Sequence, residues 1–346
     1  MLTSLSSNAI TAKAKAIYGK RLTSAEYHDL MRQRSVSDVA AYLKQNTSYS
    51  KYLSGISEMQ IHRGQLENLL EQSRMEKFLS LLHYDFSKSR GFYHYAIMNV
   101  EVMVIQRAIM LLNLNKPQDI ITAIPSFMQD YVCFDFLELS KIRSFDELLG
   151  VLSGTPYRNV LTRYSAENGR IDLTECEHAL KVFYYESMFK LIDQNYKGKT
   201  RKELREIVSI EVEILNLSMI YRLKTYFHRP PEVIKRQILP FYYKLTKRSL
   251  NALLEPLPDE EFVRKMRMPA YNSKMADVEY NYIEDYTKRL EYIVARKLMR
   301  FSTSAPVAFY ALMTLVQFEI ENLVIIIEGI RYGDPVTEIE KLLIIA

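Results

Sequence analysis

Apolar residues recur at helical spacing along almost the whole chain. Between Ile283 and Phe301 they fall at Ile283, Tyr286, Leu290, Ile293, Val294, Leu298 and Phe301, one stripe on one face. Glu284 and Lys288 lie on the other side as an i, i+4 pair. Leu66, Leu69 and Leu70 beside Glu67, Glu71 and Arg74 give the same pattern, as do Leu180, Phe183, Tyr184, Ser187, Met188 and Leu191. Three further stretches, Ile97 to Leu114, Ile207 to Phe227 and Val307 to Ile330, are apolar on nearly every face and read as core helices. The pattern predicts an all-α protein.

The helical pattern is punctuated by a phrase that returns. Arg34-Ser35-Val36-Ser37-Asp38-Val39, followed by Leu43, Tyr49 and Leu53, comes back as Arg143-Ser144-Phe145-Asp146-Glu147-Leu148, followed by Leu152, Tyr157 and Leu161. A weaker copy runs from Leu257 through Pro258 and Phe262 to Met266, Tyr271 and Met275. The phrase starts lie 109 and 114 residues apart, from 34 to 143 to 257. A period of that size describes a small helical domain rather than a solenoid element. Ser35 with Asp38, and Ser144 with Glu147, are spaced to satisfy the free amides of a helix start. In the third copy Pro258 stands in the serine's place, and proline also suits a first helical position.

A second phrase keeps step with the first. Glu101 precedes Val104-Ile105, Glu213 precedes Asn216-Leu217, and Glu319 precedes Asn322-Leu323. Each glutamate sits in one of the strongly apolar helices. Proline stops near Asn113 to Pro117 and His228 to Pro231 divide the chain into three similar helical domains, 1–114, 115–228 and 229–346. Ile17-Tyr18-Gly19 through Thr23 is echoed by Arg331-Tyr332-Gly333 through Thr337. The echo implies that the termini pack together and that the three domains close about a pseudo-threefold axis.

Composition narrows the reading. Gly (10) and Pro (11) are too scarce in 346 residues for strands joined by tight turns. The net charge of +5 is too mild for a dense nucleic-acid stripe, so no nucleic-acid partner is expected. Two basic clusters, Lys197 to Lys202 and Lys244 to Arg248 beside Tyr242 and Tyr243, read as solvated or protein-contact charge rather than phosphate ligands. The two cysteines, Cys133 and Cys176, are isolated and fit a reducing compartment. The start lacks a secretion signal. No stretch is expected to span a bilayer, since the run Leu323 to Ile327 is closed by Glu321 and Glu328. Any relationship to a membrane is therefore expected to pass through a partner.

The residues offer little chemistry. His28, His62, His83, His94, His178 and His228 show no metal-ligand spacing. A phosphate-cradling loop, a dinucleotide fingerprint and a GxSxG elbow are all missing, so no catalytic residue, cofactor site or metal site is expected. Glu211 with Glu213, and Glu319 with Glu321, are spaced i, i+2 and point to different faces, which rules out an acid/base dyad. The acids Glu101, Glu213 and Glu319 have two readings. Each could hold its own unit together through a nearby Arg or Lys, which is the usual state of a buried acid, or could line a central opening or pair with a partner's cations. Most of the 25 tyrosines and 15 methionines sit on apolar stripes and read as core.

The chain resembles the C subunits of V-type (A-type) rotary ATPases, relatives of the eukaryotic d subunit. The resemblance rests on Ala12-Lys13-Ala14-Lys15-Ala16-Ile17-Tyr18-Gly19-Lys20-Arg21-Leu22, on Arg34 to Leu43, and on Glu319-Ile320-Glu321-Asn322-Leu323 with Glu328 to Gly333. It implies a funnel of three helical domains with no catalytic activity. It further implies a central-stalk adaptor between the D and F shaft subunits and the membrane rotor ring during H+ or Na+ transport, peripheral on the cytoplasmic face. A stand-alone helical scaffold or regulator of other proteins is the alternative, and an all-helical enzyme is a third.

Overall fold

The computed structural model describes residues 2–57, 61–84, 91–120, 132–164, 171–255, 261, 264–265 and 283–345. The third phrase falls almost wholly outside them, including Leu257, Pro258, Phe262, Met266, Tyr271 and Met275. Among the described residues every regular element is helical. The chain divides into two compact units, one of residues 1–88 with 259–346 and one of residues 89–258.

The first unit is made from both ends of the chain. Its N-terminal part holds α1 (Leu2–Gly19), α2 (Ser24–Met31), α3 (Val36–Asn46) and α4 (Arg63–Leu82). The second unit holds α5 (Tyr95–Asn113), α6 (Phe136–Leu139), α7 (Phe145–Val151), α8 (Pro156–Leu161), α9 (Leu173–Asn195), α10 (Gly198–Tyr221), α11 (Pro231–Gln237) and α12 (Lys247–Leu254). The chain then returns to the first unit with α13 (Ile283–Phe301), α14 (Ala305–Tyr332) and α15 (Val336–Leu342).

In the first unit α14 is the central element, and α1, α2, α3, α4, α13 and α15 all pack on it. Its apolar residues run round the helix because it has neighbours on every side. Phe309, Ile326 and Ile327 are fully buried, and Phe309 meets Phe78 of α4 edge-on at 5.6 Å. Each such side chain contributes about 1.5–3 kcal/mol when fully buried. The helix stops at Gly333, whose φ of +75° suits a residue without a Cβ. Asp334 N–H then bonds Gly329 O at 2.8 Å and Gly333 N–H bonds Ile330 O at 3.2 Å, closing a Schellman motif.

In the second unit α9 lies between α5 and α10 and also packs on α8. Its inward face carries Cys176, Leu180, Tyr184, Met188 and Ile192. Burial pushes the Cys176 thiol up to about 12, helped by Asp172 and Glu175, so it stays protonated. Neither cysteine forms a disulfide.

The expected caps form. Ser35 Oγ accepts from Asp38 N–H at 3.1 Å, and Ser144 Oγ from Glu147 N–H at 3.2 Å. The acids differ in their return bond. Asp38 accepts from the Ser35 hydroxyl, while Glu147 reaches back to Arg143 N–H at 2.7 Å.

Two expectations need correction. Phe301 does not end a buried stripe: it is 75% exposed, because α13 turns inward through Tyr286, Leu290, Val294, Ala295 and Met299 instead. Lys288 reaches Glu321 of α14 at 2.8 Å, and the Glu284 half of its expected i, i+4 pair lies, with the Ile283 side chain, outside the described residues. Two helical stretches, Phe92–Asn113 and Ala305–Tyr332, do reach the length and apolarity of a membrane span. Their most apolar windows are 61% and 72% buried within the fold, as core helices are.

Candidate functional site

The three glutamates that keep step along the sequence are all buried, each in the middle of a long apolar helix. Glu101 on α5 is 2% exposed, Glu213 on α10 1% and Glu319 on α14 7%. A carboxylate in such a place needs its lone pairs filled.

Glu319 has donors on both of its oxygens. One oxygen accepts from Leu22 N–H at 2.8 Å, just before the Thr23 cap of α2. The other accepts from the Tyr49 hydroxyl at 2.7 Å and lies 3.6 Å from Lys77 Nζ of α4. The lysine also sits 4.5 Å over the Tyr49 ring. Burial, then the Glu319 charge, pushes the Tyr49 hydroxyl well above the ordinary tyrosine range. Burial lowers the Lys77 ammonium, although Glu319 pulls it the other way. A cavity of about 260 Å³ opens beside this group, lined by Tyr18, Arg21, Tyr27, Tyr292 and Leu312.

Glu101 repeats the arrangement in the second unit. Its carboxylate accepts from the Tyr157 hydroxyl at 2.5 Å and from Cys133 N–H at 3.0 Å. Tyr157 is 1% exposed and, like Tyr49, is held protonated by burial first and its glutamate second. A more open hollow of about 640 Å³ adjoins it, lined by His94, Thr155, Phe183 and Lys190. Glu213 takes two backbone amides on one oxygen, Tyr243 N–H at 3.0 Å and Leu245 N–H at 2.6 Å.

The pairing follows a shifted register. In the sequence each phrase tyrosine precedes the glutamate of its own repeat. In the structure Tyr157 reaches back to Glu101, and Tyr49 reaches the last glutamate, Glu319. The expected Arg or Lys partner stands at Glu319, as Lys77. At Glu101 a tyrosine hydroxyl and an amide take that place.

Two asparagines work beside the glutamates in a role that sequence reasoning missed. Asn322 Nδ2 donates to Ile344 O at 2.9 Å and its Oδ1 accepts from Ile344 N–H at 2.9 Å. Asn216 makes the same clamp on Leu239, at 3.0 and 2.8 Å. Each amide side chain thus fills both backbone groups of one buried residue. The signal was present as Glu-x-x-Asn in the second and third copies. The first copy has Val104 there, fully buried.

These groups tie one element to another through hydrogen bonds. Tyrosines held above their usual range keep their protons at neutral pH. Among the described residues no group of three or more His, Cys, Asp or Glu could hold a metal ion.

The fold and site define an all-helical protein in which one buried carboxylate fastener recurs. The family model described as ATP synthase (C/AC39) subunit matches residues 10–342, and the chain belongs to that family. It is 25% identical over 219 residues to the A-type ATP synthase C subunit of Archaeoglobus fulgidus, covering 61% of this chain and 60% of that protein. It is 24% identical over 230 residues to that of Thermococcus gammatolerans, covering 66% and 59%. With the A-type ATP synthase C subunit of Methanosphaera stadtmanae the match is 24% over 351 residues, 96% of this chain and 86% of that one. The matched region thus spans about 60% of the first two relatives' own lengths.

Proposed function

We propose that this chain is the non-catalytic central-stalk adaptor of a V/A-type ATP synthase. In this reading one end holds the foot of the shaft, formed by the D and F subunits, and the other seats on the membrane rotor ring. The complex lies on the cytoplasmic face, and rotation passes through this chain during ATP-linked H+ or Na+ transport. The observation that carries the reading is the family match across residues 10–342.

The reading includes three repeat domains, 1–114, 115–228 and 229–346, set about a pseudo-threefold axis as a funnel. Glu101, Glu213 and Glu319 then act as internal fasteners and not as acids facing a partner. Their burial supports that role. A part that transmits torque gains from interiors of low compressibility, and satisfied buried polar groups add stiffness.

The test is co-purification from native membranes through a tag on this chain. Recovery of the shaft subunits together with the rotor ring is the expected result. Recovery of the chain alone, or with unrelated proteins, would overturn the adaptor role in favour of a stand-alone scaffold.

A further inference from the structure

The stretch from Arg222 to Arg248 in the second unit stands apart in charge. It holds eight Lys and Arg, namely Arg222, Lys224, Arg229, Lys235, Arg236, Lys244, Lys247 and Arg248, against the single acid Glu232. Eight less one is +7 in 27 residues, while the whole chain carries +5, so everything else nets −2.

These residues also sit together. A short π-helical turn, Arg222–Tyr226, ends α10 and packs on α11, which packs on α12. Lys224 ties the turn to the end of α12 through Leu253 O at 2.8 Å and Glu255 O at 2.6 Å. Within the stretch the buried residues are only Ile234, Gln237, Ile238 and Leu239. Large apolar side chains stand outward between the cations: Tyr226 is 57% exposed and Phe227 56%, with Val233, Tyr242 and Tyr243 at 40–43%.

The other basic cluster of this unit makes a useful contrast. There Arg201 and Arg205 are both neutralised by Asp193, at 2.8 and 2.6 Å, and Lys199 lies 3.6 Å from Glu203. Among the described residues Arg222, Lys235, Arg236, Lys247 and Arg248 have no acidic partner.

We propose that this basic and aromatic face of the second unit docks peripherally on an anionic phospholipid surface. Ammonium and guanidinium groups without an acidic partner among the described residues match headgroup phosphates. Tyr and Phe rings placed among them match the boundary between headgroup and acyl chain. An acidic protein surface would complement the charge, but would leave five exposed large apolar side chains without a role. Spread over a turn, a helix and a loop, they suit a broad surface better than one groove. The contact adds a direct membrane relationship to the expected one through a partner. It lies outside the adaptor role and is tested without the other subunits, so either idea can fail alone.

The test is co-sedimentation of the purified full chain with vesicles of phosphatidylcholine alone or with phosphatidylglycerol added. Binding at least about tenfold stronger to the anionic vesicles, and weakened by salt, is expected. The paired reversals K235E/R236E and K247E/R248E, all at exposed positions, should each lower that binding severalfold with helicity unchanged. Y226S/F227S should leave a residual binding that salt abolishes. K197E/K202E, at the other basic cluster, should leave binding unchanged. Equal binding to both vesicle types, no binding, or parent-like binding by both paired reversals would overturn the proposal. Binding only to an acidic polypeptide such as polyglutamate would transfer the face to a protein partner.

Discussion

At Glu319 the carboxylate meets a backbone amide, a tyrosine hydroxyl and an ammonium. At Glu101, among the described residues, it meets an amide and a hydroxyl. Both acids are buried, so the difference shows that a cation is optional. Among the described residues, hydrogen bonds from donors aimed at the charge hold the second site without one. The lysine at the first site brings a liability, since two buried charges now depend on each other. Distance along the chain separates the sites as well. The hydrogen-bond donors to Glu101 lie 32 and 56 residues away, and Leu22 and Tyr49, which donate to Glu319, lie 297 and 270 residues away.

The hardest break would be removal of residues 305–345, which takes away α14 and Glu319. Amide hydrogen exchange should then show α2 and α3 unprotected, while α5 and α9 keep their protection. Loss of protection in both units would mean that the second cannot stand without the first.

Glu319→Ala should cost about 3–5 kcal/mol in chemical denaturation, because it strands the Lys77 charge. Glu101→Ala should cost about 1–3 kcal/mol, the penalty of orphaning neutral donors. Adding Lys77→Met to Glu319→Ala should recover part of the loss. Equal costs for the two glutamates would show that Lys77 adds nothing to the first site.

Tyr49→Phe and Tyr157→Phe should each cost about 1.5–3 kcal/mol, since each hydroxyl donates to a carboxylate. They should also alter the alkaline limb of stability. Both hydroxyls are held above the ordinary tyrosine range in the folded chain. The unfolded chain loses these protons first, at about pH 10, so this stability is full below that pH and falls above it. Either substitution should flatten the fall. Lys77 works with the opposite sign: its folded value is lowered, so stability rises with pH from that value to about 10.4. Lys77→Met should remove that rise and leave the Glu101 site unaffected.

The smallest effect should be the same in both units. Ser35→Ala and Ser144→Ala each remove one cap and should each cost about 1 kcal/mol. A clear inequality would mean that the return bonds of Asp38 and Glu147 differ in strength.

What could be read in advance was local. Helical stripes and the caps at Ser35 and Ser144 follow from spacings of three or four residues, within one turn of chain. The glutamates stood out because a charge in an apolar helix must be answered by something. What answers it is tertiary, and no spacing within α14 points to Leu22, Tyr49 or Lys77. The same limit explains Phe301, where periodicity continues but the neighbours end. The Asn322 and Asn216 clamps were hidden for a related reason, since the irregular backbone they hold carries no pattern of its own.

The bond from Leu22 N–H to Glu319 has a consequence for the chain as it is made. A ribosome adding about 5–20 residues per second needs about 15–60 s to travel the 297 residues between them. During that interval α2, α3 and α4 wait without the helix that buries them, while residues 89–258 emerge with their own partners already in hand. The newborn N-terminal segment therefore keeps apolar faces open until α14 emerges to cover them.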